Sequence, residues 1–466
     1  MDTDQNREAS WVIRGRRVVL PGGIAPASVH IQDGVISKVG EWDEIATTAR
    51  LFDAGDHAIL PGIVDVHTHI NEPGRSDWEG FESATRAAAA GGITTLVDMP
   101  LNSIPPTTSA GALDQKIAAA DGKLWVDVGF HGGIVCGNEN ELRGLAHSGV
   151  VGLKCFLCDS GVEEFAAVTL DQLAAAIDQL AGFDPWILVH AESPEVLKAA
   201  SAGLEDRGAW TYDDYLRSRP DEAECQAIRR LIELAQTSRA RIHIVHLSSA
   251  AALPLIAQAK ANQLAVTAET CPHYLTFDAE SIPGSATELK CAPPIRSAAN
   301  RENLWRGLKD GIIDIIASDH SPCLPELKAG RDFAKAWGGI ASLQCSLAAV
   351  WNEARRRGFA LTDLARWMCR RPAELASLPA KGAIAPGKDA DLICFAPDET
   401  STFEAEQILH RHKLTPYLGR RMCGVVKQTV LRGALIYDRG SWSGEPQGRI
   451  VRALPRHHQE RLSAVI

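Results

Sequence analysis

Between residues 61 and 380, eight short apolar runs recur, most of them separated by amphipathic helical patterns. This alternation restricts the fold more than any other feature of the chain. The runs are Gly62–His67, Ile93–Met99, Leu124–Phe130, Val150–Phe156, Trp186–His190, Arg241–Leu247, Leu264–Thr270 and Ile312–Ser318. Each is short and mostly apolar, as a buried strand is. Helical patterns such as Glu79–Ala90, Leu170–Leu180, Glu222–Ala235, Ala250–Ala261 and Asn300–Leu308 lie between them. An α/β fold follows, and eight strands with interleaved helices predict a (β/α)8 barrel of the TIM type. An open doubly wound sheet is the alternative. A barrel keeps its chemistry where strands end, so polar residues should collect at their C-terminal tips.

Both ends of the chain have a different texture. Residues 11–60 and 382–438 hold short Val- and Ile-rich segments split by Gly, Asp and Pro. Each end carries a Gly-centred turn, Asp33-Gly34 and Arg432-Gly433, suited to a hairpin. The expected organisation is a small β-sandwich domain from 1–60 with 381–440, a barrel over 61–380, and a C-terminal tail at 441–466.

The strand tips are polar, as a barrel requires. The first run ends in Asp65-Val66-His67-Thr68-His69, and a period of two points His67 and His69 the same way. Taken alone, the pair is compatible with two polar strand-end histidines. The fourth run carries Lys154 among apolar neighbours, where an ammonium needs a carboxylate partner, neutralisation or chemical modification. The fifth ends at His190, the sixth at His246 and the eighth at Asp319-His320. Five of eight tips thus offer a metal-competent or ionisable group, which points to metal binding by His67, His69, His190, His246 and Asp319, with Lys154 among them. His243 is three residues before His246, so alternation predicts that it packs toward the helices. His320 should point away from the site, and His273 reads as a supporting or structural residue.

At these residues the chain resembles the cyclic amidohydrolases of the binuclear-metal amidohydrolase superfamily. The most specific stretch is GIVDVHTHINEPGRSDWEGFESATRAAAAGGITTLVDMPLNSIPPTT; GVVGLKCF, LVHAES, HIVHLSS, TAETCPHYL, KCAPPIR, ASDHSPC, AWGGI and GAIAPGKDADL support it. The resemblance implies two divalent metals, with zinc the default and cobalt, nickel or manganese able to fill similar sites. It implies that His67, His69 and Asp319 hold one ion, and His190 and His246 the other. Lys154, carbamylated by CO2 to N6-carboxylysine, would bridge both. A hydroxide would attack a ring amide carbonyl, with Asp319 carrying the proton to the leaving nitrogen.

The resemblance also separates substrates. Relatives that bind a carboxylated dihydropyrimidine hold it with an arginine where this chain has Asn71, and Asn cannot form that bidentate ion pair. Hydantoinases and dihydropyrimidinases place a tyrosine where Asp159 stands. A small, neutral substrate rich in urea-like donors and acceptors is implied, contacted by Asn102 and by the backbone of Ala292 and Gly338. A hydantoinase-like enzyme of wider range and a non-catalytic scaffold of the same fold remain as alternatives.

Composition excludes other classes. Lys and Arg number 48 against 58 Asp and Glu, a net charge of −10, without the basic footprint of a nucleic-acid binder. The polar start has no apolar signal core, and no run is long enough to cross a membrane. Eleven scattered cysteines argue for a reducing cytoplasm rather than a disulfide framework. Cys155-Phe156-Leu157-Cys158 lacks the second pair that a structural zinc site needs. No G-x-S-x-G elbow or phosphate loop is present. The expected partner is a small-molecule substrate, and the expected assembly a homo-oligomer, with a tetramer favoured.

Overall fold

The computed structural model describes residues 11–45, 49–204 and 207–453; the polar start and the end of the tail lie outside them. All eight expected barrel strands form. They are Ile63–Thr68, Ile93–Asp98, Asp127–Phe130 continuing at Gly132–Gly133, Leu153–Phe156, Trp186–His190, Arg241–Ile244, Val266–Thr270 and Ile315–Ile316. Neighbours pair in parallel around the ring. Closure comes from the first and last tips: Thr68 bridges His320 in parallel, and His69 N–H donates to the His320 carbonyl at 2.8 Å.

Helices cover the barrel because their sequences demand it. Phe81–Ala90 buries Ala84, Ala87, Ala88 and Ala89, small side chains that let it lie close to the sheet. Leu170–Gln179 starts at Thr169, whose hydroxyl accepts from Gln172 N–H while the Gln172 side chain accepts from Thr169 N–H. Asp221–Ser238 ends where Arg239 turns left-handed at φ 58°.

The two chain ends meet in a nine-stranded sheet. Ala58–Pro61 pairs antiparallel with the start of Leu392–Thr402, which zips the N-terminal strands onto the C-terminal ones. Ile13, Val18, Val29, Ile31, Ile36, Ile59, Leu392 and Val430 form a separate apolar core there. The two hairpin turns stack on each other. Asp33, Gly34, Arg432 and Gly433 all have positive φ, as a two-residue hairpin turn needs. A Cβ at Gly34 would lie 3.0 Å from the Arg432 carbonyl oxygen, so contact as well as conformation requires glycine. The tail also adds to the structure: Ser441–Trp442 extends the sheet, and Val451 N–H donates to the Val128 carbonyl at 2.9 Å on the third barrel strand.

A buried charge cluster joins sheet to barrel. Lys381 Nζ lies 2.6 Å from Asp127, 2.8 Å from Asp389 and 2.7 Å from Asp391. Arg432 also reaches Asp127. The three carboxylates could hold a cation, but Lys381 occupies that position. Burial disfavours its charge, and the carboxylates outweigh burial, holding the ammonium above its ordinary pKa. Removing one partner of such a cluster leaves buried charge behind, at a cost of about 3–5 kcal/mol. Lys381→Met should therefore lower the unfolding free energy measured in urea by an amount in that range; a change within about 0.5 kcal/mol would contradict the coupling.

Candidate metal centre

The closed ring gathers the strand tips. His67 and His69 leave the first strand, Lys154 lies in the fourth, His190 ends the fifth, and His246 and Asp319 follow the sixth and eighth. All six are buried. Asp319 Oδ1 lies 3.1 Å from His67 Nε2 and 3.4 Å from His69 Nε2. His190 Nδ1 lies 3.0 Å from His246 Nε2. The two groups adjoin, with the His67 and His246 ring centroids 5.4 Å apart. Lys154 is fully buried, and its Nζ has no hydrogen-bond partner among the described residues; it sits 4.7 Å from the Phe156 ring centre.

Carboxylates behind the imidazoles set which nitrogen is free. Glu192 receives His190 Nε2–H at 2.6 Å, leaving a lone pair on Nδ1. Arg219 holds Glu192 from the far side, with Nη2 at 2.5 Å and Nε at 3.1 Å. Glu269 receives His67 Nδ1–H and frees Nε2. The amide of Asn102 lies 3.2 Å from His69 Nδ1. Its Nδ2–H donates to that nitrogen. None of these supporting contacts was expected from sequence. The available signal was an acidic residue in the buried run Val266–Thr270 and another two places after His190.

Electrostatics follow burial first. Burial pushes the Lys154 ammonium down to about 8, against attraction from Glu269 and Asp319. It drives His69 down to about 4. His67 moves the other way: burial opposes its charge, but Glu269 and Asp319 win and raise it to about 9. Burial also opposes the Asp319 anion, yet His67 and its neighbours hold that carboxyl well below the usual range. The Arg219 cation outweighs burial at Glu192 and brings it to about 2.

The backbone corrects one expectation. His243 does not pack toward the helices. Its Nε2 lies 3.0 Å from Glu269 Oε2 and its Nδ1 2.8 Å from Thr267 Oγ1, on the side shared with His67. Alternation fails because His246 has φ 39°, a left-handed conformation that breaks the strand period. Both histidines therefore face the barrel interior, His246 among the candidate ligands and His243 against Glu269. Asp319 is also left-handed, with φ 45°. Such conformations cost of order 1–3 kcal/mol in non-glycine residues and persist where surroundings fix them.

The other candidates sit around this centre. His320 points away: its Nδ1 accepts from Ser342 N–H at 3.2 Å, and Nε2 faces Glu79 at 3.5 Å. His273 is fully buried beside Cys271 and Asp319, and neither ring nitrogen has a partner among the described residues. Ala292 and Gly338 belong to two loops that touch; a Cβ at Gly338 would lie 3.8 Å from that of Ala292. Beside them Trp337 meets Trp78 edge-on, 4.9 Å between centroids.

Four buried imidazoles, one buried carboxylate and one lysine without a hydrogen-bond partner suit divalent cations of borderline softness. Comparison with known proteins agrees. The family model "Amidohydrolase family" matches residues 58–436, and the chain belongs to that family. Within it, the chain is similar to the allantoinase of Streptomyces avermitilis, 51% identical over 449 residues covering 96% of this chain and 100% of that one. It is 42% identical to the allantoinase of Arabidopsis thaliana over 457 residues, 94% of this chain and 90% of the other. Among solved structures, it resembles the L-hydantoinase (dihydropyrimidinase) of Arthrobacter aurescens, with a TM-score of 0.90, 31% identity, and coverage of 95% of this chain and 100% of that one. Family membership implies a binuclear metal centre, and the His and Asp clusters are compatible with one.

Adding a divalent metal to chelator-treated protein should therefore raise its melting temperature. At a free concentration of 100 Kd the stabilisation is about 2.7 kcal/mol per ion. His246→Ala should lose most of the rise. An unchanged midpoint in the unsubstituted protein would contradict a metal site here.

Proposed function

We propose that this chain is an allantoinase, hydrolysing the hydantoin ring of allantoin to allantoate in ureide catabolism. The observation that carries this reading is the 51% identity to an allantoinase along almost the whole chain, with a competent side chain at every strand tip the chemistry needs. Two positions support it against relatives of other specificity. Asn71 is buried, its Nδ2 donating to the Pro322 carbonyl at 3.3 Å, and offers no cation to a substrate carboxylate. Asp159 is exposed and accepts from Gly161 N–H at 3.0 Å in a turn, so no phenol reaches the site from there. The hydantoinase-like alternative draws on the structural likeness at 31% identity.

His67, His69 and Asp319 would hold one ion, and His190 and His246 the other, zinc by preference. Two such ions supply Lewis acidity that activates water and polarises the amide carbonyl. Lys154 would join both positions as a carbamate. Its ammonium would first lose a proton, and the free amine would add CO2 and release a second, turning a buried cation with no hydrogen-bond partner into an anion with two ligand oxygens. Asp319, held as an anion beside His67, accepts the proton of the attacking water and returns it to the leaving ring nitrogen. The loop backbone at Ala292 and Gly338 and the side chain of Asn102 read the neutral ring through hydrogen bonds. A cytoplasmic homotetramer belongs to the same reading.

A substrate panel tests the assignment. Allantoin should exceed hydantoin and dihydrouracil in kcat/KM by about tenfold or more; a preference for either of the others would overturn it. Lys154→Ala should lose metal and activity together, with partial rescue by short carboxylic acids. Full activity in that variant would exclude the bridging role. Asp319→Ala should lower turnover by about 10²–10⁴-fold, and an unchanged rate would assign the proton transfer to another group. Wild-type protein that retains no stoichiometric metal would favour the scaffold alternative.

A further inference from the structure

Glu269 touches both halves of the metal centre. It lies in the seventh barrel strand and is fully buried. Its Oε1 accepts from His67 Nδ1–H and, at 3.1 Å, from the backbone N–H of His246. Its Oε2 faces His243 Nε2 at 3.0 Å, and His243 is braced in turn by Thr267 Oγ1 at 2.8 Å. His67 belongs with His69 and Asp319; His246 belongs with His190. One carboxylate oxygen therefore fixes the ring of a ligand in the first group and the backbone of a ligand in the second.

The second contact falls where the backbone is strained. His246 is left-handed at φ 39°, and that turn swings its imidazole inward. The hydrogen bond to its N–H opposes relaxation to an ordinary strand conformation, which would restore the alternation and turn the ring away. At His67 the same oxygen selects the tautomer with Nε2 free.

We propose that Glu269 is a positioning residue that couples the two metal positions, so that losing it weakens both ions together. This deepens the proposed metal centre and rests on it. Were the two positions independent, a change at Glu269 would release the ion on the His67 side and leave the other in place.

Three variants separate the parts of the role. Glu269→Gln keeps the shape and lets Oε1 still accept from His67 and His246, provided the amide faces His243 and that ring moves its proton to Nδ1, toward Thr267. It removes the charge and keeps the orientation. Glu269→Leu removes both. Glu269→Asp keeps the charge on a shorter arm.

The experiment reads zinc per chain after gel filtration of the holoenzyme, and the time course of zinc release to excess chelator. Wild type should hold two ions. Glu269→Leu should lose both in parallel, in a single release phase faster by about tenfold to a hundredfold. Glu269→Gln should fall between, and Glu269→Asp should recover part of the loss. A Glu269→Leu protein that keeps one tightly held ion, or two released at the wild-type rate, overturns the coupling. If that variant does not fold by circular dichroism, the same readings on Glu269→Ala, which also removes both contacts, decide: wild-type stoichiometry and release overturn the proposal, and parallel weakening supports it. A wild type that binds no zinc, cobalt or manganese overturns the metal-centre reading itself, a result distinct from either.

Discussion

The site depends on the closure of the barrel at its first and last strands. Thr68 pairs with His320, and the His69 N–H reaches the His320 carbonyl. These contacts set Asp319 against His67 and His69, residues some 250 positions away in sequence, and leave its carboxylate between two imidazole nitrogens. An open sheet would hold those tips at opposite edges. Closure also excludes water, which is why Lys154, Glu192 and Glu269 reach complete burial and why their charges interact strongly. Ring closure therefore fixes both the geometry of the centre and its electrostatics.

Burial alone would scatter these charges into their neutral forms. Three supports prevent that: Arg219 behind Glu192, His67 and His243 on Glu269, and His67 with His69 on Asp319. Lys154 has no such support. A lysine with its Nζ free of partners and its ammonium weakened by burial is a poor structural choice and a good nucleophile toward CO2.

Much of this was legible in the residues. Strand tips could be found because a buried strand is short and apolar and a polar residue at its end is conspicuous; Lys154 and the histidines stood out for that reason. The nine-stranded sheet was foreshadowed by two similar chain ends and two Gly-centred turns, which stack in the fold. What alternation could not supply was the point at which it stops. His246 adopts a left-handed conformation that no local signal requires, so His243 was assigned to the wrong side. The supporting carboxylates were hidden for a different reason. Glu192 is held by Arg219, 27 residues away, and Glu269 holds His67, 202 residues away, contacts that exist only in the folded barrel. The tail carried no readable motif, yet backbone hydrogen bonds seat Gly448 on Leu124, just before the third strand, and Val451 on Val128 within it. Backbone pairing of that kind leaves little trace in side-chain identity.

The central claim is that Lys154 becomes an anion shared by two cations. Its most direct test is carbon NMR of protein reconstituted with divalent metal in ¹³C-labelled bicarbonate. One carbamate resonance per chain should appear and should vanish when the metal is stripped. An active, metal-loaded enzyme with no such resonance would contradict the claim.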